Sequence, residues 1–310
     1  MATAVSMTVR RAPAALVRYA WGVVGYNVLV ILWGALVRAT GSGAGCGNHW
    51  PLCNGQVIPL SPSVHTVIEF THRCMTGGST FIVIGLLVWT FRATVKGQAA
   101  RVAAVVSMVL LLNEALLGAL LVKLGYVTGN QSMGRVVLLS VHLSNTLLLL
   151  GALTLTAVLL GTGQRWSELG ARGGKKLWAI VGLAATLVVG VSGSLAALGD
   201  TLFPASSLRA AFAQDFAAGS PWLLRLRGVH PASAVVAAVF VVWLVRQAGV
   251  GRLGGLVLGL LGFQFALGVA DVLLLAPVWM QIVHLLGADL YWVALVALAA
   301  EVVWKPELAR

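Results

Sequence analysis

The chain has 310 residues; 59% are hydrophobic and only 10% charged, yet the formal net charge is +12. A soluble domain is about 25% charged and a disordered chain lacks this hydrophobicity, so both classes are excluded. What remains is an all-α integral membrane protein, in which Lys and Arg orient the spans rather than contact nucleic acid.

A bilayer-crossing helix needs about 20 apolar residues, and eight such runs follow one another: 19–38, 64–91, 102–122, 135–160, 177–198, 227–246, 254–274 and 279–303. The first follows Arg10, Arg11 and Arg18. It is long enough to span and lacks the small-residue site of a cleaved signal peptide. Eight spans place both termini on one side. That side takes those three arginines with Arg92, Lys96, Arg101, Arg165, Arg172, Lys175, Lys176, Arg246, Arg252, Lys305 and Arg310, 14 of the 21 cations. The bias puts both termini in the cytoplasm, and the long loops 39–63 and 199–226 face outward. The basic residues form no run or stripe, so no nucleic-acid partner is expected.

The first outward loop contains Cys46 and Cys53 with Gly47, Asn48, His49, Trp50, Pro51 and Leu52 between them. In an oxidising compartment a disulfide is expected, either as a staple or as a redox-active pair. Span 2 opens with His65, Glu69 and His72 at i, i+4 and i+7, one helical face, followed by Arg73 and Cys74. Cys74 reads as a small packing residue. Span 3 carries Glu114, which either pairs with Lys123, lines a proton path or is packing polarity; Asp271 in span 7 reads the same way. Span 4 carries Arg135 and His142, span 6 His230 and span 8 His284. Asp200 and Asp215 fall in the second outward loop and read as solvated.

The halves repeat. Glu114-Ala-Leu-Leu-Gly118 matches Gln264-Phe-Ala-Leu-Gly268, Val141-His142-Leu143 matches Val283-His284-Leu285, and His72-Arg73 matches His230-Pro231. Gly41-Ser42 near the end of span 1 pairs with Gly193-Ser194 near the end of span 5. Four helices per half make this a parallel repeat. It implies two pseudo-symmetric four-helix bundles, 1–165 and 166–310.

His72, His142, His230 and His284 all lie within about three turns of the outer end of their spans. Ionisable groups inside a span are costly and mark function. A single such histidine is explained equally well by an interhelical hydrogen bond. Four at matched depth read as two pairs of axial haem ligands, spans 2 and 4 forming one and spans 6 and 8 the other. Two His per site leave zinc or copper an incomplete shell. The sites are not equivalent, because at the repeat offset Glu69 becomes Arg227. Glu69 is either a proton acceptor beside the first site or the partner of Arg38, Arg73 or Arg135 in a salt bridge. Arg225 and Arg227 flank the second site and either hold haem propionates or lie at the lipid interface. Arg38, Arg73 and Arg135 are further propionate candidates.

Two stretches carry a resemblance. Gly34-Ala-Leu-Val-Arg38-Ala-Thr-Gly41-Ser-Gly43-Ala-Gly-Cys46 with Trp50-Pro51-Leu-Cys53 and Ile58-Pro59 is similar to the haem A synthase family, as is Glu69-Phe-Thr-His72-Arg73. The overall plan resembles that family over nearly the whole chain. The resemblance implies oxidation of the C8 methyl of haem O to a formyl group, giving haem A for terminal oxidases. It implies a protohaem (haem b) cofactor at His230 and His284, a substrate site at His72 and His142, and an important glutamate at Glu69. It maps the family's paired loop cysteines to Cys46 and Cys53, while the second pair that some members carry has no counterpart. The implied reaction oxidises the methyl twice, the diol then losing water. Haem O would enter laterally from lipid, handed over by a haem O synthase. Two other classes stay open: a bis-histidine membrane cytochrome b that only transfers electrons, and a transporter, which two parallel repeats also fit.

Overall fold

The computed structural model describes residues 11–166, 173–249 and 251–304, the side chains of 173–175 excepted. Arg10, Arg172, Lys305, Arg310 and the side chain of Lys175 therefore lie outside the described residues. Among these residues the chain is helical, with two isolated bridges (Cys53–Gln56 and Gln98–Arg165) and no sheet. The helices are α1 Ala14–Ala39, α2 Val64–Ala93, α3 Ala99–Lys123, α4 Met133–Thr162, α5 Gly173–Leu202, α6 Leu208–Phe216, α7 Trp222–Arg225, α8 Val229–Ala248, α9 Arg252–Leu273 and α10 Val278–Trp304. Eight apolar stretches are long enough to cross a membrane, α7 and α8 together forming the sixth, Trp222–Ala248. All eight expected spans are present. The helices overrun the apolar runs because the backbone hydrogen-bond ladder continues past the hydrocarbon until a cap stops it. At the start of α2 and α4 the cap is a serine: Ser63 accepts from the Thr66 amide and Ser132 from that of Arg135.

Helices α1 to α4 pack in a closed ring, each touching the next and α4 returning to α1. The same holds for α5, α8, α9 and α10. The rings meet where α1 and α4 lie against α5 and α10. The core runs through this seam, with Leu150, Leu153, Leu160 and Leu295 fully or almost fully buried, and continues into the second ring with Val241 and Leu244 of α8. Trp292 of α10 donates its Nε1–H to the Leu147 carbonyl of α4, 2.8 Å away. The outward faces show large apolar residues, such as Leu29, Phe81, Val109, Val239 and Val269. In lipid these faces gain nothing by being buried, so helix association rests on close packing and interhelical hydrogen bonds.

The α1–α2 pair illustrates such packing. Tyr19, Tyr26 and Trp33 fall seven residues apart and donate to the carbonyls of Ile82, Met75 and Ile68, also seven apart in the antiparallel sense. Seven residues is two turns, so all three donors share one seam. A Cβ at Gly78 or Gly85 would stand 2.6 or 2.8 Å from the two tyrosine hydroxyls. Those glycines therefore set the approach of the helices that carry the first histidine.

Candidate functional site

The four span histidines rest on four glycines. A Cβ built at Gly34 of α1 would lie 3.0 Å from Cε1 of His72 on α2, and at Gly118 of α3, 4.0 Å from His142 on α4. In the second half the pairs are Gly193 of α5 with His230 of α8, at 2.8 Å, and Gly268 of α9 with His284 of α10, at 3.4 Å. Each imidazole thus lies against the backbone of the helix preceding it in its half. This corrects one element of the repeat: the counterpart of Gly193 is Gly34, not Gly41. Gly41 instead makes the left-handed turn (φ 65°) that ends α1.

The ring centres of His230 and His284 are 6.3 Å apart and their planes nearly perpendicular. Two metal–imidazole bonds of about 2 Å plus the two ring radii span roughly the same distance, so the pair fits an iron held from both faces. His230 Nδ1 lies 3.2 Å from the Val189 carbonyl and 3.4 Å from Ser192 Oγ, which itself bonds Ser233. A donor at Nδ1 leaves Nε2 free as the ligating nitrogen. Asp200 and Asp215, expected to be solvated, are half-buried and ion-paired. Asp200 lies in α5 and Asp215 in α6, and they pair with Arg227 at 3.0 and 3.3 Å. Arg227 also donates to the Phe203 carbonyl. Arg225 makes one long contact, 3.5 Å, to Ala218 O and heads a cavity of about 610 Å³ between α5 and α8, lined by Ala185, Val188, Ala232 and Val236.

In the first half, His72 of α2 and His142 of α4 stand on two helices of the same ring. His72 Nδ1 is buried without a partner. His142 Nδ1 stands 3.3 Å from Glu114 Oε1. Glu114 does not pair with Lys123; it accepts hydrogen bonds from Asn145 Nδ2 at 2.7 Å and from the Thr146 hydroxyl.

Cys46 and Cys53 form a disulfide. The loop it closes is docked on the first turns of α2. Glu69, only 4% exposed, accepts the Cys46 backbone N–H at 2.8 Å through Oε2 and pairs with Arg73 at 2.5 Å through Oε1. Arg73 also donates to the carbonyls of His49 and Leu52. A Cβ at Gly45 would fall 2.4 Å from the His65 carbonyl, so only glycine fits there. His65 Nδ1 lies 3.0 Å from Ser42 Oγ. Of the salt bridges open to Glu69, the one to Arg73 is made. Arg38 instead crosses the seam to Ala197 O, Thr201 and Gln281, and Arg135 donates to Asn130 O. Cys74 is exposed on α2 rather than packed inside, which corrects the packing role.

Together these features define a multi-pass helical membrane protein with four span histidines, each beside a glycine of a neighbouring helix, of which His230 and His284 face each other. The chain belongs to the cytochrome oxidase assembly protein family (COX15-CtaA), which it matches over residues 17–296. It is 46% identical over 288 residues to a Thermus thermophilus protein named protohaem IX farnesyltransferase, covering 91% of this chain and 47% of that protein. It is 48% identical over 92 residues to the haem A synthase of Shouchella clausii, covering 30% of this chain and 31% of that enzyme. To the haem A synthase of an Exiguobacterium species it is 35% identical over 138 residues, covering 44% and 43%. In each case the match spans less than half of the relative's own length.

Proposed function

We propose that this protein is a haem A synthase, oxidising the C8 methyl of haem O to a formyl group in the membrane. The observation that carries the reading is the pair of matched histidine couples in a chain of the oxidase assembly family, one of them with its rings 6.3 Å apart. His230 and His284 hold a protohaem, with the Val189 carbonyl steering Nε2 of His230 toward the iron. That group supplies one-electron chemistry when bound. His72 and His142 take the iron of haem O as substrate, and the farnesyl tail stays in lipid. Of the five propionate candidates, Arg225, at the mouth of its cavity, is the most weakly held by protein partners, with one long contact, and is the best placed to meet a propionate.

Glu69 serves two ends in this reading. It fastens the disulfide loop over the outer end of α2 and offers a carboxylate one turn from His72 as a proton acceptor. The termini lie in the cytoplasm and both sites toward the outer face, as the loop charges require. The Thermus relative bears a farnesyltransferase name, and this chain accounts for less than half of it. That supports a haem O-forming farnesyltransferase as the neighbour that hands over substrate.

The test is pigment extraction from cells making this chain together with a source of haem O. The reading expects haem A; protohaem and haem O alone would mark a bis-histidine cytochrome. Glu69→Gln then separates the two roles of that residue. Normal haem A output with unaltered haem content would leave Glu69 with the fastening role only.

A further inference from the structure

The two halves differ in what stands behind the second histidine of each pair. A histidine that ligates a metal through Nε2 turns its Nδ1–H toward an acceptor, and a carboxylate there strengthens the ligand more than a carbonyl does. Among the described residues, His142 is the one span histidine with a carboxylate at that nitrogen, Glu114 Oε1 at 3.3 Å. As the side chains stand this is a close approach, not a formed hydrogen bond. His230 has the Val189 carbonyl. Nδ1 of His72, His142 and His284 are all buried without a formed hydrogen bond, and of these three His142 is the one that faces a carboxylate.

The surroundings of Glu114 are built for a carboxylate. Asn145 Nδ2 donates to one oxygen, and the Thr146 hydroxyl, which shares its one hydrogen with the His142 carbonyl 2.9 Å away, reaches the other. Two donors aimed at two oxygens suit a carboxylate; a glutamine in the same pose would turn its NH2 toward one of them. The orientation of Asn145 is itself fixed, because Asn113 Nδ2 donates to its Oδ1 at 2.8 Å and its own Nδ2 also reaches the Leu110 carbonyl. At the matched places in the second half all three groups are absent. Glu114 is replaced by Gln264, Asn145 by Gly287 and Thr146 by Ala288. Gln264 donates to the main-chain carbonyl of His284, and its oxygen lies over Gly287, where a Cβ would stand 2.6 Å away. A polar group kept only for packing would not need three coordinated changes. An embedded carboxylate is also costlier than the amide.

We infer that Glu114 is a positioning residue for the substrate iron: it accepts the Nδ1–H of His142, fixes Nε2 as the ligating nitrogen and makes it the strongest donor of the four. This rests on the reading of His72 and His142 as the haem O site. A stronger axial donor favours the ferric over the ferrous iron, so the first-half iron is held at a lower potential than the same ligands would otherwise give.

The experiment uses the full-length protein, purified in detergent and loaded with protohaem and haem O. Glu114→Gln is expected to raise the midpoint potential of the first-half haem and weaken its retention by about ten- to a hundred-fold. The His230–His284 haem should keep its potential and spectrum, which doubles as the check on folding. If Glu114→Gln loses both signals, Thr146→Val, which removes one donor to the carboxylate, decides by the same two readouts, with a smaller shift in the same direction. Unchanged potential and retention in the folded variant would overturn the inference. A different result would sink the reading beneath it: His72→Met and His142→Met leaving every haem signal of the protein unaltered.

Discussion

The histidine-bearing ends of the two halves are closed by the same device in different materials. In the first half Arg73 joins one buried carboxylate, Glu69, to two loop carbonyls, and a disulfide stiffens the loop. In the second half Arg227 joins two carboxylates, Asp200 and Asp215, to the Phe203 carbonyl, and the loop carries the short helix α6 in place of cysteines. The arginines are not at equivalent positions, since Arg227 sits where the repeat places Glu69. The fastening therefore differs between the halves, while the histidine–glycine contacts beneath it are common to both. What is shared marks what both sites must do, and what differs marks where they part.

Several substitutions put this comparison under strain. Arg73→Ala strips a partner from a buried carboxylate and is expected to cost about 3 kcal/mol, measured as thermal unfolding in detergent. A loss under about 1 kcal/mol would mean that the Cys46 amide alone satisfies Glu69. Reducing the disulfide, or Cys46→Ser, should cost about 2–3 kcal/mol by the chain-entropy argument, with no counterpart in the second half. Arg227→Ala should cost less, about 1 kcal/mol, because Asp200 and Asp215 keep part of their exposure to water. An equal or larger loss than for Arg73→Ala would reverse the ranking of the two clasps.

The glycines give the smallest and most graded effects. Alanine at Gly193 or Gly34 meets an imidazole at 2.8 or 3.0 Å and, on the proposed reading of the histidines as haem ligands, should lower haem occupancy at that site. Gly268→Ala, at 3.4 Å, should do so weakly. Gly118→Ala, at 4.0 Å, should leave the haem untouched and gain up to about 1 kcal/mol of helix propensity. Haem-to-protein ratios of the four variants check the order.

Much of this was legible in the sequence, for physical reasons. A bilayer demands long apolar runs, so the eight spans stood out. Ionisable residues inside them are rare enough that the four histidines did too. What was missed depends on contacts between distant residues. The pairing of Glu114 with His142 needs Asn145 and Thr146 on a different helix, and nothing local marks them. The register of Gly34 with Gly193 becomes visible only when each is seen beneath its histidine. Asp200 and Asp215 looked solvated because loop carboxylates usually are, and α6 was too short and too polar to show as a helix against the spans. A glycine-to-His distance set was the missing signal; its traces in the sequence were the matched Gly118 and Gly268 of the repeat and the spacing of Gly34 from His72, equal to that of Gly193 from His230 to within one residue.

The central claim is that the two histidine pairs hold different haems for different ends. It is tested most directly by the haem content of two purified double variants, His72→Ala with His142→Ala and His230→Ala with His284→Ala, made beside a source of haem O. The account predicts that the first keeps protohaem but carries neither haem O nor haem A, and that the second loses protohaem while still retaining haem O. Identical pigments in the two variants would contradict it.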